Sequence, residues 1–263
     1  MRVRSKAADE SHAFRPSPCG KLPMRTDSPV VCLTVDVETD CPPYLRTSRG
    51  LDEGLERVLV LFAEESIRAT FFITGQVAVS HPGMIGKIVS LGHELGSHGL
   101  SHQAFDTIDL RTAAQEIHES MNILTGFSSI RSFRAPYLRF PDSCLELLVD
   151  AGFSIDSSQA RYKLSCYRKP MQTSLTRIPV SMTSSVLRLP GWICRPFLNA
   201  LSSPVVLFVH PWEFVDLTQE RLRLDCRFRT GIPAVGCLKS VILFFRAKGA
   251  RFVTIRQMGE GGD

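Results

Sequence analysis

The sequence VVCLTVDVETD, residues 30–40, decides the fold because it joins a hydrophobic strand to a row of acids. Its first six residues form a continuous β-rich run, which is typical of a strand covered on both faces. Asp36, Glu38 and Asp40 follow at alternating positions. In parallel α/β folds, active sites collect at the carboxyl ends of the strands. The stretch therefore predicts a buried strand that delivers acids to a site, the alternative being that these acids cap the next element.

Similar hydrophobic runs recur along the chain and alternate with helical patterns. Further strands are predicted at 69–73, 130–133, 153–155, 204–209 and 251–254, and helices at 51–66, 84–91, 110–124, 144–151 and 235–248. Residues 159–203 contain four prolines and predict loops, with short strands near 176–180 and 185–189. No internal repeat is evident. This alternation of short buried strands with helices predicts a parallel α/β sheet, open or closed.

A second informative stretch is GHELGSHGLSH, residues 92–102, which holds three of the seven histidines. His98 and His102 are four residues apart, so both imidazoles would project from one face of a helical turn. Two imidazoles make half a metal site that a carboxylate from elsewhere could complete. The alternative is a solvated or core-capping pair. A His-Glu-x-x-His zinc motif is excluded, because Ser97 stands four positions after His93.

Composition and charge place the chain among soluble globular proteins. Of 263 residues, 44% are hydrophobic and 22% charged, which suits one large α/β domain. Residues 1–26 carry six Lys/Arg against two acids, so most of the net charge of +5 lies there. We expect residues 1–27 to be a disordered or loosely attached tail and residues 28–258 to be the catalytic domain. The near-neutral remainder argues against a nucleic-acid partner.

The cysteines and the hydrophobic runs indicate where in the cell the protein is located. Eight cysteines are scattered without a Cys-x-x-Cys pair, which favours reduced, mostly buried thiols in a cytoplasmic protein. No secretory signal is visible at the N-terminus. The longest hydrophobic run, at 241–245, is too short to span a bilayer. We therefore expect a cytoplasmic protein without an integral membrane segment. The sequence does not indicate an oligomeric state.

Most of the candidate functional side chains follow directly after predicted strands. They are Asp36, Glu38, His98, His102, Arg134, Asp156 and His210. In a parallel barrel such positions converge on one face. A divalent ion can polarise a carbonyl and lower the pKa of its bound water, while a carboxylate takes a proton and a histidine returns one. The constellation therefore predicts metal-assisted hydrolysis of an amide.

Six short segments in this order carry a resemblance to a known family. The sequence resembles the polysaccharide deacetylases, which share the NodB homology domain, in TVDVE (34–38), ATFF (69–72), HGLSH (98–102), RAPY (134–137), DSS (156–158) and LFVH (207–210). The resemblance extends from about residue 30 to about residue 254. It implies an α/β fold, a distorted (β/α) barrel with fewer than eight strands. It also implies metal-dependent removal of an N-acyl group, usually acetyl, from an amino sugar.

The resemblance further implies a role for each catalytic position. Asp36 matches the general base, and Arg134 orients and charges that base. Tyr137 would offer its backbone N–H to the oxyanion. His210 matches the general acid, and Asp156 would hold its ring.

The metal site departs from the family pattern at one position. His98 and His102 match the metal ligands, but the usual second aspartate of the first motif is replaced by Val37. Glu38 shares a strand face with Asp36, whereas Val37 faces the opposite way. Either Glu38 is the metal ligand and Asp36 the base, or these roles are exchanged, or the site binds metal poorly. The metal expected is zinc, with cobalt, nickel or manganese as alternatives.

The expected partner is an N-acylated sugar or glycoconjugate, and two alternatives stay open. The first alternative is an allantoinase-like or deformylase-type amide hydrolase that acts on a small or lipid-linked substrate. The Asp-x-acid form of the first motif resembles two subgroups of this kind. One acts on lipid-linked or exopolysaccharide amino sugars and includes deformylases, and the other is allantoinase-like. The ending HPWEF, residues 210–214, looks most like the exopolysaccharide branch. The other alternative is a carbohydrate-binding module with an impaired catalytic site, for which Val37 is the only support.

Overall fold

A parallel sheet forms the centre of the molecule in a computed structural model that describes residues 28–167 and 172–261. The expected tail, residues 1–27, lies outside the described residues. The strands are β1 (Val30–Val37), β2 (Thr70–Ile73), β3 (Glu94–Ser97), β4 (Ser132–Phe133), β5 (Ile155–Asp156), β6 (Thr176–Arg177), β7 (Val205–Val209) and β8 (Arg251–Phe252).

Seven of these strands follow one another in the order β6-β5-β4-β3-β2-β1-β7, all parallel, and the two-residue β8 pairs with the start of β1. The two ends of this path meet through Ser181, whose N–H donates to the carbonyl of Val206 at 2.8 Å. The path is therefore a distorted barrel with fewer strands than a full eight, as the resemblance implies.

The described ranges also contain ten α-helices, together with 3₁₀ and π turns. The α-helices are α1 (Leu55–Glu64), α2 (Gly75–Ser80), α3 (Pro82–Ser90), α4 (Leu110–Thr125), α5 (Leu145–Asp150), α6 (Ser184–Leu187), α7 (Gly191–Ala200), α8 (Leu224–Arg227), α9 (Ile232–Ala247) and α10 (Ile255–Gly259). The π turn covers Gly50–Gly54, and the 3₁₀ turns cover Pro136–Leu138, Asp142–Cys144, Leu164–Tyr167 and Pro211–Phe214.

The prediction of a strand at 185–189 was wrong, because residues 184–187 form helix α6. The sequence pattern also did not predict α7, which follows Pro190 and contains Pro196. Proline normally interrupts a helix, so these two residues concealed the helical pattern. No helix within the described ranges is both long and hydrophobic enough to cross a membrane.

Strand β1 positions the acids because its two faces have different surroundings. Its odd-numbered residues from Val31 to Val37 belong to the main hydrophobic core that the helices cover. Cys32 instead packs with Phe72 and Phe208 in a second cluster inside the barrel. Since strand residues alternate between faces, Asp36 and Glu38 continue the Cys32 side into the interior. Burying each large hydrophobic side chain contributes roughly 1.5–3 kcal/mol, so this register is strongly fixed.

A glycine in β3 makes room inside the barrel. A Cβ added at Gly96 would lie 2.6 Å from Phe72 Cδ1 and 2.7 Å from Ser132 Oγ. Both neighbours are fully buried. A side chain at this position would push Phe72 against Arg134, whose guanidinium carbon lies 4.2 Å above the Phe72 ring.

Candidate active site

A cavity of about 260 Å³ opens at the carboxyl ends of the strands. Acids, imidazoles and aromatic rings line it, among them Asp36, Glu38, His98, His102, Tyr137, His210 and Trp212. Most of the residues singled out in the sequence therefore meet at one place. Arg134 reaches this group by contacting Asp36, and Asp156 is not among the described residues that line the cavity.

Glu38, His98 and His102 form a cluster whose ligand atoms all lie within 4.8 Å of one another. Glu38 Oε2 lies 3.6 Å from His98 Nε2 and also contacts His102 Nε2. Trp212 Nε1 donates a hydrogen bond to the other carboxylate oxygen, Oε1, at 3.0 Å. The acid beside the two imidazoles is thus Glu38, while Asp36 is engaged elsewhere.

The second nitrogen of His98 fixes the orientation of its ring. His98 Nδ1 lies 2.7 Å from the carbonyl oxygen of Arg134. A carbonyl can only accept, so Nδ1 is the donor in this contact and Nε2 is the nitrogen that faces the cluster. Metal-binding histidines are commonly held in this way by a backbone carbonyl. The His98 side chain is only 2% exposed, so this arrangement is well packed.

His102 lies on a loop, so the two imidazoles come together without the helical turn that their spacing would suit. Residues 98–102 have no helical assignment, and His102 has a φ of 62°. Glu116 on α4 holds this loop, because its Oε2 accepts hydrogen bonds from the N–H groups of Leu100 and Ser101, both at 2.9 Å. Glu116 is not among the candidate residues predicted from the sequence. Its position on the buried face of a predicted amphipathic helix was the available signal.

The donor set fits a divalent metal ion. Both ring nitrogens of His102 are buried without a hydrogen-bond partner among the described residues, although Nε2 lies against Glu38. Burial opposes ionisation of Glu38, yet His102 and His210 hold the pKa of its carboxyl well below the usual range. Two imidazoles and one ionised carboxylate form a common ligand set for a catalytic zinc site. A buried imidazole whose Nε2 lies against a carboxylate oxygen is the arrangement that a ligand cluster presents to a cation.

Asp36 is paired with Arg134 beneath the cavity. Arg134 Nη1 donates to Asp36 Oδ1 at 2.7 Å and to Thr34 Oγ1 at 2.6 Å. Its Nη2 donates to Ser157 Oγ at 2.9 Å, and its Nε donates to the Ser157 carbonyl at 3.3 Å. The Arg134 side chain is fully buried. A buried guanidinium needs such a set of acceptors, and it holds the Asp36 carboxyl group in a fixed orientation.

His210 is held by a carboxylate that the sequence analysis did not assign to it. His210 Nδ1 lies 2.8 Å from Glu213 Oε1, and its ring stacks on Trp212 with centroids 4.7 Å apart. Its Nε2 lies 3.8 Å from Glu38 Oε1. Burial lowers the pKa of His210, but the charges of Glu38 and the hydrogen-bonded Glu213 outweigh this and raise that pKa to about 9. The ring is therefore poised to carry a proton at Nε2.

Asp156 does not hold the His210 ring, which corrects the expected pairing. Asp156 Oδ2 lies 2.8 Å from Arg177 Nε, and its Oδ1 accepts from the N–H of Ser158 at 3.0 Å. Asp156 and Arg177 are register partners on β5 and β6, which explains the contact. Burial raises the pKa of the Asp156 carboxyl, although Arg177 opposes this rise.

Tyr137 lies at the rim of the cavity. Its backbone has a φ of 59°, and its ring packs edge-on against His102 with centroids 4.7 Å apart. Lys163 Nζ donates to the Tyr137 carbonyl at 3.0 Å and so fixes this turn. A positive φ is costly for a residue with a side chain, and such strain is often found where backbone groups face a ligand.

Comparisons with known proteins identify relatives of this chain. Residues 24–155, half of the chain, match the family model described as polysaccharide deacetylase. A peptidoglycan deacetylase of Helicobacter pylori is 27% identical over 176 residues, covering 65% of this chain and 58% of the relative. A chitooligosaccharide deacetylase of Sinorhizobium fredii is 30% identical over 132 residues, covering 49% of this chain and 56% of the relative. The chain thus spans a little over half the length of these two curated relatives.

Among solved structures, a polysaccharide deacetylase-type protein of Mycobacterium smegmatis superposes with a TM-score of 0.68 at 21% identity. The match covers 90% of this chain and 91% of that protein. At this identity the likeness supports the fold alone, so the chemistry has to be argued from the residues in the cavity.

Proposed function

The chain belongs to the polysaccharide deacetylase family, and from this premise we propose that it is a hydrolase that removes an N-acyl group, usually acetyl, from an amino sugar or glycoconjugate. One observation carries the proposal. The cluster of Glu38, His98 and His102 shares a cavity with a carboxylate, Asp36, and with a third imidazole, His210. Hydrolysis of an amide needs a group that accepts a proton and another that returns it, and both are present.

His98 Nε2, His102 Nε2 and Glu38 Oε2 would hold a divalent metal ion, with zinc the ion that suits two imidazoles and one carboxylate. When bound, such an ion polarises a carbonyl and makes water a stronger nucleophile at neutral pH. The departure at Val37 then carries little weight as support for an impaired site. Glu38, two positions after Asp36, supplies the carboxylate that the family pattern places at 37.

The chain's own residues would divide the proton transfers between them. Asp36, oriented by Arg134, accepts the proton of the attacking water. His210 has Nδ1 engaged with Glu213, so Nε2 is the atom that donates a proton to the departing amine. The N–H of Tyr137 stabilises the oxyanion that forms on the acyl oxygen when water attacks the acyl carbon.

The test is release of acetate or formate from N-acylated sugars. The panel contains N-acetylglucosamine, chitooligosaccharides, peptidoglycan fragments and N-formyl amino sugars, with zinc supplied and then with chelator. We expect acyl release that the chelator abolishes and that His98→Gln removes. His118→Gln is the matched control, since His118 is exposed on α4 outside the cavity. Absence of release across the panel, or full activity of His98→Gln, would contradict the proposal.

Repeating the assay with ureide rings in place of the sugar panel distinguishes the allantoinase-like alternative from the deacylase. Ring opening without acyl release from any sugar would favour it. A protein that binds chitooligosaccharides without releasing acyl groups would favour the impaired module.

The cytoplasm is the compartment we propose. The seven cysteines within the described ranges are all free, as expected where thiols stay reduced. The substrates there would be soluble or lipid-linked amino sugars and small glycosides. Fractionation of cells that produce the protein would test this, and recovery outside the cytoplasm would contradict it.

A further inference from the structure

A buried chain of charges lies behind His210. Glu213 Oε1 contacts His210 Nδ1 at 2.8 Å, and Glu213 Oε2 lies 2.7 Å from Arg188 Nε. The side chains of Glu213 and Arg188 are only 1% and 3% exposed. A buried ion pair costs desolvation energy that packed hydrophobic side chains would not. Such a pair behind one ring of the cavity therefore calls for a reason beyond stability.

Arg188 ties this carboxylate to the wall of the cavity. Its Nη2 donates to the carbonyl of Asp225 at 2.5 Å, and its Nη1 donates to the carbonyls of Cys226 and Phe228 at 3.3 and 2.5 Å. These carbonyls belong to α8 and the residue after it. Cys226 of α8 lines the same cavity as His210. The guanidinium thus joins the support of the imidazole to the backbone that forms one side of the site.

Glu213 itself is held at both ends. Its Oε1 accepts a second hydrogen bond, from the backbone N–H of His210 at 3.0 Å, which closes the 3₁₀ turn Pro211–Phe214. Its Oε2 is fixed by Arg188. A carboxylate with both oxygens committed leaves Nδ1 of the ring as a donor and directs Nε2 to the cavity. Asp156, the residue expected in this place, is occupied by Arg177.

We propose that Glu213, fixed by Arg188, is the positioning residue for the general acid His210 in place of Asp156. The inference rests on the proposed function and adds to it the residues that orient the acid. Glu213 acts through His210 and does not touch the substrate.

Glu213→Gln tests the assignment with little change in shape. An amide has one oxygen and one NH2, and Arg188 and His210 both present donors to this side chain. Either orientation of the new amide therefore sets its NH2 against a donor. The ring of His210 is then misoriented or loses the proton at Nδ1. Glu65→Gln is the matched control, because Glu65 is a buried glutamate paired with Arg246, and it does not line the cavity.

The readout is how the rate of hydrolysis depends on the leaving group of the substrate. Release of an amine requires protonation, whereas release of p-nitrophenolate does not. We expect Glu213→Gln to lower kcat for an N-acetylated sugar by about 10- to 100-fold with little change in KM. Hydrolysis of p-nitrophenyl acetate should stay near the wild-type rate. Glu65→Gln should change neither, and Arg188→Lys should reproduce a smaller loss of the first kind.

A spectroscopic measurement keeps the proposal falsifiable if a variant has low activity on the ester. In zinc-loaded protein labelled with 15N-histidine, the Nδ1 resonance of His210, identified by its loss in His210→Gln, should move in Glu213→Gln and stay in Glu65→Gln. Equal losses on amide and ester, or an unmoved Nδ1 resonance, would overturn the inference while leaving the deacylase proposal standing. A wild-type protein that releases no acyl group from any sugar would overturn both.

Discussion

Removing the buried guanidinium of Arg134 should destabilise the protein strongly and in a way that depends on Asp36. Arg134 is fully buried, and it makes four hydrogen bonds, to Asp36, Thr34 and two oxygens of Ser157. Arg134→Met deletes all four and leaves the Asp36 carboxylate buried without a cation. Breaking a buried pair in this way typically costs about 3–5 kcal/mol.

A double-mutant cycle separates the charge from the packing. In Arg134→Met the uncompensated carboxylate and the lost hydrogen bonds both contribute to the loss of stability. Adding Asp36→Asn in the same background removes the uncompensated charge. We expect the double variant to recover about 1–3 kcal/mol relative to Arg134→Met alone. Arg134→Lys keeps the charge but not the fork of donors, so its loss should fall between those of the wild type and Arg134→Met.

The assay is urea unfolding at pH 7.5, with circular dichroism and tryptophan fluorescence as independent probes. An unchanged slope of free energy against urea would license the comparison between variants. A loss below about 1 kcal/mol in Arg134→Met, or no coupling with Asp36→Asn, would refute the reasoning. The pair would then contribute nothing to the folded state.

Two further predictions concern residues around the same barrel. Burial, with a smaller effect of Arg68, lowers the pKa of His93 to about 4. As the pH drops below about 6.5, the unfolded chain therefore binds a proton at this histidine that the folded protein does not bind. Stability should therefore fall as pH drops from 6.5 towards 4, by roughly 2 kcal/mol at pH 5, and His93→Asn should flatten this part of the urea-unfolding profile; parallel profiles for the two proteins would contradict it. Gly96→Ala sets a Cβ 2.6 Å from Phe72 and should cost about 1–3 kcal/mol, together with activity, since Phe72 supports Arg134. A calorimetric Tm and an acyl-release rate equal to those of the wild type would show that Phe72 moves freely.

Much of the fold could be predicted because successive residues of β1 match the two different environments on the two faces of the sheet. Strand β1 is hydrophobic on the helix side, and on its other side Asp36 and then Glu38, the residue after the strand, face the interior. This alternation requires a buried strand with acids directed into the interior. The strand ends that carry His98 and His210 followed the same pattern. The sequence left open whether Glu38 or Asp36 binds metal, because both acids share a face. In the structure Glu38 lies beside the two imidazoles and Asp36 lies beside Arg134.

The parts that could not be predicted depend on contacts between distant residues. Asp156 is held by Arg177, and β6 is only two residues long in a stretch without clear periodicity. The partner of His210 was near at hand in the sequence, since Glu213 follows it by three residues. That spacing after a strand indicates a capped turn, and a carboxylate in such a turn can reach back to its first residue. Arg188, by contrast, gave no local sign of its role.

The most direct test of the account is a crystal grown with zinc and measured at the zinc absorption edge. We expect one strong anomalous peak bounded by His98 Nε2, His102 Nε2 and a carboxylate oxygen of Glu38, with Asp36 still paired with Arg134. A peak coordinated by Asp36 in place of Glu38, or no peak at this cluster under saturating zinc, would contradict it.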